Sequence, residues 1–327
     1  MLIDNHGRPI NYMRLAVTDR CNLRCFYCMP EEGIKYVDRD ELLSFEEMYR
    51  MINAFGELGI SKLRITGGEP FVRKGIMEFL EQVSANQYIE QVNITTNGTF
   101  TEEKIEYLER MGIKSINLSL DSLSKERFFE ITRRNLFDQV MSTFDALVNS
   151  TIKTKINMVV MEGRNIEDIY PMIELTRDRD VSVRFIEEMP FNGTLGQGNA
   201  TFWPMKQILE HIEKEYEIEK LPDPPSSTSY NYKVKGFKGS FGIIAAFTRT
   251  FCGTCNRVRV TPQGDLRTCL YEKGAISLRD IIRNSQSDEE LKNTFLEAVG
   301  SRAKDGFEAE QRRSENPVSE SMATIGG

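Results

Sequence analysis

Six cysteines in two groups of three are the residues of this chain best suited to chemistry. The first group, Cys21-Asn22-Leu23-Arg24-Cys25-Phe26-Tyr27-Cys28, has the spacing C-x3-C-x2-C, and the second, Cys252, Cys255 and Cys269, reads C-x2-C-x13-C. Thiolates are soft metal ligands, and a [4Fe-4S] cluster has four irons to ligate. Three thiolates leave one iron open to a small molecule, whereas an electron carrier closes all four positions. A zinc site short of its fourth ligand, or three unrelated buried cysteines, is the plain alternative for the first group. For the second, structural zinc normally has four closed ligands, and a fourth taken from the first group would dismantle that site. An open iron in the second group could accept a substrate nitrogen or oxygen. The only histidines, His6 and His211, lie far from every cysteine in sequence, so mixed Cys/His zinc sites and His-based nucleophilic catalysis are poorly supplied.

The elements that must position these thiols are legible as short β-type runs alternating with helical patterns, the signature of βα units around a parallel sheet. Strands are expected over 12–17, 62–66, 91–95, 115–120, 153–160 and 182–187. Ser44 followed by Glu47 makes a capping box, and Phe45, Met48, Ile52 and Phe55 recur at helical spacing beyond it. Further helices are expected near 75–83, 102–110, 136–149 and 166–176. Polar residues recur at the strand ends: Thr66-Gly67-Gly68-Glu69-Pro70, Thr95-Thr96-Asn97-Gly98, Ser119 and Asp121, and Met189 after Glu187-Glu188. A barrel with its site at the C-terminal rim requires this placement. Pro222, Pro224 and Pro225 in the 221–229 stretch read as a connector, which sets a boundary between residues 1–221 and 222–327. From Ser301 onward the polar composition predicts a mobile tail.

At 327 residues the chain exceeds the usual size of one core. Its 42 basic and 49 acidic side chains give a net charge of -7, which argues against a general nucleic-acid or membrane-surface binder. No apolar run reaches membrane-spanning length and no secretory signal opens the chain, so a cytoplasmic location is expected. Six cysteines in that reducing compartment point to metal or redox work rather than disulfides.

The C-x3-C-x2-C motif with an aromatic before its last cysteine, together with Gly67-Gly68-Glu69-Pro70, resembles the radical SAM superfamily. The resemblance implies an incomplete (β/α)6 barrel, with a C-terminal segment carrying the second cluster across its mouth. It also implies a first [4Fe-4S] cluster on Cys21, Cys25 and Cys28, whose open iron chelates S-adenosylmethionine (SAM). Reductive cleavage of SAM there gives a 5'-deoxyadenosyl radical. Tyr27, Gly68, Ser119 and Met189 carry over as SAM contacts.

Asn11-Tyr12-Met13-Arg14, Leu63-Arg64-Ile65-Thr66, Ser119-Leu120-Asp121-Ser122-Leu123, the second cysteine group and the terminal Gly326-Gly327 narrow the resemblance to the GTP 3',8-cyclase family of molybdenum-cofactor biosynthesis. That family's reaction converts GTP to (8S)-3',8-cyclo-7,8-dihydro-GTP: hydrogen leaves ribose C3', and C3' attacks C8 of the base. The resemblance implies a second [4Fe-4S] cluster on Cys252, Cys255 and Cys269 whose open iron meets the guanine. Arg14, Arg64, Thr95, Lys155, Arg257, Val258 and Arg259 carry over as GTP contacts. Arg257, Arg259, Gly326 and Gly327 carry over as supports of the chemistry. Guanidinium groups suit a triphosphate, which they bind in paired, charge-assisted hydrogen bonds. A reductant protein, the pyranopterin synthase acting next in the pathway, and a homodimer are the implied partners. Asp305 stands where relatives often have histidine, and residues 308–316 are unusually charged. A peptide-modifying radical SAM enzyme would have more cysteines near its C-terminus. An electron carrier or zinc-binding interaction protein would leave the GGEP segment and the polar strand ends without a purpose.

Overall fold

A strand with polar side chains at every second position has a second face that must meet water or ligand. The strands here are of that kind: along Lys153–Val160, buried positions alternate with more accessible ones, and Lys155 and Asn157 fall on the accessible face. A computed structural model describes residues 1–29, 33–189, 202–272 and 276–312. Its first six strands are β1 (Tyr12–Ala16), β2 (Lys62–Thr66), β3 (Gln91–Thr96), β4 (Ser115–Ser119), β5 (Lys153–Val160) and β6 (Ser182–Glu187). Each lies parallel to the next, as the βα alternation predicts.

The helix Phe45–Leu58 follows the expected capping box, with Ser44 and Glu47 each bonded to the other's backbone. Its Phe55 stacks on Phe295 of the helix Asp288–Gly300 at 3.9 Å between ring centres, tying the C-terminal region to the barrel's outer layer. The expected helices near 102–110 and 166–176 each open as a short 3-10 turn before a six-residue α-helix.

The C-terminal region does more than follow the barrel; it adds strands to both of its edges. On the β6 side lie β7 (Ile218–Lys220), β8 (Tyr230–Val234) and β9 (Ser240–Ile244), and β9 is parallel to β6. On the β1 side lie β10 (Arg257–Val260), β11 (Asp265–Arg267) and β12 (Ile276–Ser277), and β10 is parallel to β1. The array therefore has eight parallel strands, β10-β1-β2-β3-β4-β5-β6-β9, where six were expected. Its outermost pair, β9 and β10, do not hydrogen-bond to each other, so the barrel stays open along one side. The connection 245–256 must pass from the end of β9 to the start of β10.

Residues 301–312, the described part of the tail, depart from the expected mobility. Arg302 and Ala303 are buried, and Gly306–Gln311 is a helix whose first turn is capped by the Asp305 carboxylate, which accepts from the Phe307 and Glu308 backbone. Asp305 thus has a capping role here. Residues 313–327, with Gly326 and Gly327, lie outside the described residues.

Candidate active site

The first triad is held by a zipper of backbone contacts between two loops. The Gly68 amide donates to Thr18 O at 2.8 Å and the Glu69 amide to Arg20 O at 2.9 Å, so the turn after β2 lies flat against the chain entering Cys21. Gly67, at φ +146°, and Gly68 are both required: a Cβ at either would overlap the Thr18 or Arg20 carbonyl. The buried Glu69 carboxylate accepts from the Asn97 amide at 2.7 Å and the Phe71 amide at 3.1 Å. Asn97 Nδ2 in turn donates to Cys21 Sγ at 3.7 Å. Asp121, just past β4, accepts from Tyr27 O–H at 2.7 Å and the Val159 amide at 2.8 Å, fastening the other end of the cysteine loop.

These loops form the rim of a cavity of about 530 Å³, within the usual size of a small-molecule site. Cys21, Cys25 and Cys28 line it, as do Tyr27, Gly68, Ser119 and Met189, the four SAM candidates. Deeper, Arg14, Arg64, Thr95, Lys155, Arg257 and Arg259 line it too, so every accessible GTP candidate faces one chamber. Val258 does not: it is fully buried.

The triads differ in electrostatics. Burial, then the Glu69 charge, pushes the Cys21 thiol up to about 12, and burial with Asp121 pushes Cys25 well above its ordinary value. For Cys255, burial acts upward too, but the Arg257 and Arg302 guanidiniums outweigh it and hold the thiol at about 6. Arg257 donates to Cys255 Sγ through both Nε and Nη2 at 3.3 Å. No cysteine pairs with another in a disulfide. Each triad offers three sulfurs, and the Cys21 and Cys255 sulfurs already accept side-chain N–H donors, which is the donor set and second shell a [4Fe-4S] cluster takes. Along β1 and β10 the triads lie at opposite ends: Cys21 follows β1, whereas Cys255 precedes β10, whose first residue pairs with the first of β1. The five residues of β1 span about 16 Å.

The cationic floor is larger than its motifs suggest. Lys62 and Arg184 also line the chamber. Arg184 Nη1 donates to Ser229 Oγ at 2.9 Å and to Asn231 Oδ1, and the 221–229 connector brings Pro224 to Ser229 into the wall. A period-two signal marks these residues in sequence: Lys62 is in phase with Arg64, and Arg184 with Ile186 and Glu188. Burial, then Arg184, Arg64 and Lys62, pulls the Lys155 ammonium down to about 8. Tyr12 O–H sits at about 8 because Arg64 and Arg14 overcome its burial; Arg64 Nε donates to that oxygen at 2.6 Å.

A partial parallel barrel with a three-thiol loop after its first strand and a glycine turn after its second defines a radical SAM protein. Residues 15–176 match the radical SAM superfamily and residues 181–307 match Molybdenum Cofactor Synthesis C. The chain is 41% identical over 300 residues to a GTP 3',8-cyclase of Syntrophomonas wolfei, covering 91% of this chain and 92% of that one. It is 41% identical over 313 residues to Molybdenum cofactor biosynthesis protein 1 of Drosophila melanogaster, covering 95% of this chain and 55% of that one. It spans about half the length of such longer eukaryotic relatives. The crystal structure of Streptococcus suis SuiB bound to S-adenosylmethionine shares the fold, with a TM-score of 0.59 at 14% identity over 87% of this chain and 66% of that one. The chain belongs to the GTP 3',8-cyclase family.

Proposed function

We propose that this protein is a GTP 3',8-cyclase, converting GTP to (8S)-3',8-cyclo-7,8-dihydro-GTP as the first step of molybdenum-cofactor biosynthesis. The observation that carries the reading is one chamber with a three-thiol rim and a floor of arginines and lysines, a second thiol triad lying beyond its cationic end. Cys21, Cys25 and Cys28 would hold one [4Fe-4S] cluster and Cys252, Cys255 and Cys269 another. Bound at the rim, the first cluster and SAM supply a 5'-deoxyadenosyl radical. The chain's own work is to bind, orient and exclude. Tyr27, Gly68, Ser119 and Met189 position SAM at the rim. Arg14, Arg64, Lys155, Arg257 and Arg259 neutralise the triphosphate, and Thr95 offers a hydroxyl beside it. This fixes the ribose between floor and rim. Gly326 and Gly327, supports of the chemistry by family resemblance, lie outside the described residues.

Residues 1–221 carry the radical chemistry and 222–327 the second cluster. The protein acts in the cytoplasm as a homodimer, takes electrons from a reductant protein and hands its product to the pyranopterin synthase. Among the described residues no helix is long and apolar enough to cross a membrane. The test is anaerobic reconstitution to about eight irons per chain, as two four-iron clusters require, then incubation with SAM, GTP and a strong reductant. Formation of 5'-deoxyadenosine with the cyclised nucleotide is expected. Radical formation without any change in GTP would overturn the assignment.

A further inference from the structure

The N-terminal segment contributes to a buried ionic knot whose residues Asp4, Arg8 and Arg302 do not themselves line the chamber but grip the second triad. Asp4 Oδ2 pairs with two guanidiniums at once, Arg8 Nε at 2.7 Å and Arg302 Nη1 at 3.3 Å, and all three side chains are buried. Its other oxygen accepts the His6 and Arg8 amides, each at 2.9 Å. The carboxylate is therefore saturated and held against the chain at both ends.

The guanidiniums point onward to the second triad. Arg8 Nη1 donates to Cys252 O at 3.2 Å, and Arg8 also donates to Ala303 O and Lys304 O, at 2.9 and 2.6 Å. Arg302 Nη1 donates to Cys255 O at 3.3 Å. Its Nη2 donates to Arg257 O and Thr268 O, each at 3.1 Å, and reaches Cys255 Sγ at 3.7 Å. The backbone of every position in the triad is thus tied, Cys269 through its neighbour Thr268. Two cations share one carboxylate, and the surplus charge faces the Cys255 sulfur.

Buried ion pairs are weak devices for stability, because desolvation consumes most of their attraction. What this pair provides is geometry. Cys252 and Cys255 belong to the connection before β10 and Cys269 to the turn after β11; the β10–β11 ladder pairs Arg259 with Arg267 but includes none of the three cysteines. A planar fork with several donors is suited to fixing such separate carbonyls at once.

We infer that Asp4, Arg8 and Arg302 are positioning residues for the second cluster, and that Arg302 also serves as an N–H donor in its second shell. The inference rests on the reading of Cys252, Cys255 and Cys269 as cluster ligands. Its test is Asp4→Asn in the full chain, reconstituted anaerobically beside the wild type and Cys252→Ser. Iron is measured per chain, and the reduced protein is examined by electron paramagnetic resonance with and without GTP. Wild type should hold about eight irons and Cys252→Ser about four. Asp4→Asn should fall toward four and lose the GTP-responsive signal, while reductive SAM cleavage persists at the rim. Eight irons and an unchanged GTP-responsive signal in Asp4→Asn would overturn the inference. Four irons in the wild type would overturn the cluster reading instead. Should Asp4→Asn fail to fold, Arg302→Lys decides. It keeps a cation beside Asp4 but loses the fork, so a folded protein with an altered second-cluster spectrum is expected, and a wild-type spectrum with full iron refutes the role.

Discussion

Replacing Arg14 with methionine should make the nucleotide-free protein more stable and a worse binder, two effects of opposite sign from one side chain. Arg14 lines the chamber with its Nε lacking a hydrogen-bond partner among the described residues. Burial, then Arg259, and further Arg64 and Arg257, holds its guanidinium well below its usual range. An unsatisfied buried donor costs about 1–3 kcal/mol, and exchanging a buried charge for an apolar group of similar volume gains about 1–4 kcal/mol. Solvent in the chamber reaches part of Arg14, which discounts both figures to a gain of roughly 1–2 kcal/mol. For a chain of this size that raises Tm by roughly 1.5–3 °C. On the binding side, a charge-assisted hydrogen bond to phosphate contributes about 1.5–3 kcal/mol, so Kd for GTP should weaken by about 10- to 150-fold. Anaerobic scanning calorimetry of the nucleotide-free reconstituted protein and titration calorimetry with GTP measure the two arms. An Arg14→Met protein that melts lower than wild type, or binds GTP within twofold of it, refutes the view that the floor is strained in wait for an anion.

Lys155 makes GTP affinity depend on pH. Its free-state value of about 8 lies below the usual lysine value, and a bound triphosphate restores the proton, so affinity should fall about tenfold per pH unit above 8; proton uptake in calorimetry at pH 8.5 is the direct check. For stability the sign is reversed: between about 8 and 10.5 the unfolded chain holds this proton and the folded one does not, so this group makes nucleotide-free stability rise with pH. Gly242→Ala should displace Arg184, because its Cβ would overlap Arg184 Nη1 and Ser229 Oγ. A loss of about 1–3 kcal/mol in urea unfolding, with weaker GTP binding, is expected. Glu187→Gln should loosen the connection 245–256. That carboxylate accepts from the amides of Met205, Phe247 and Thr248 at 2.7, 2.9 and 2.8 Å. A loss of about 2 kcal/mol and faster amide exchange at 247–248 are expected; wild-type exchange there would count against the anchor.

What could be read from the sequence was what local chemistry encodes. Strands β2, β5 and β6 match their expected bounds because alternation and flanking turn residues act over a few positions. The first triad and the Gly67-Gly68 turn were legible for the same reason: ligand spacing and glycine geometry lie within one loop each. The second triad's surroundings are a different case. Asp4 and Arg302 are 298 positions apart, and each alone reads as a surface charge in a chain that is 28% charged. Only pairing β10 with β1 and β9 with β6 brings the tail back beside the N-terminal segment, and nothing in a linear pattern announces those edge pairings.

The same logic explains why residues 301–312 misled. Polar composition from Ser301 implied mobility because a charged segment ordinarily has too little apolar surface to offset its ordering entropy. Arg302 meets that cost another way, by satisfying carbonyls that the second triad's irregular backbone would otherwise leave buried and unpaired. The turns that carry Cys252, Cys255 and Cys269 lie outside the strands β10 and β11, so their carbonyls draw donors from elsewhere. In this fold a distant arginine supplies them, and the placement of residues 301–312 and the geometry of the second triad are one structural problem with one solution.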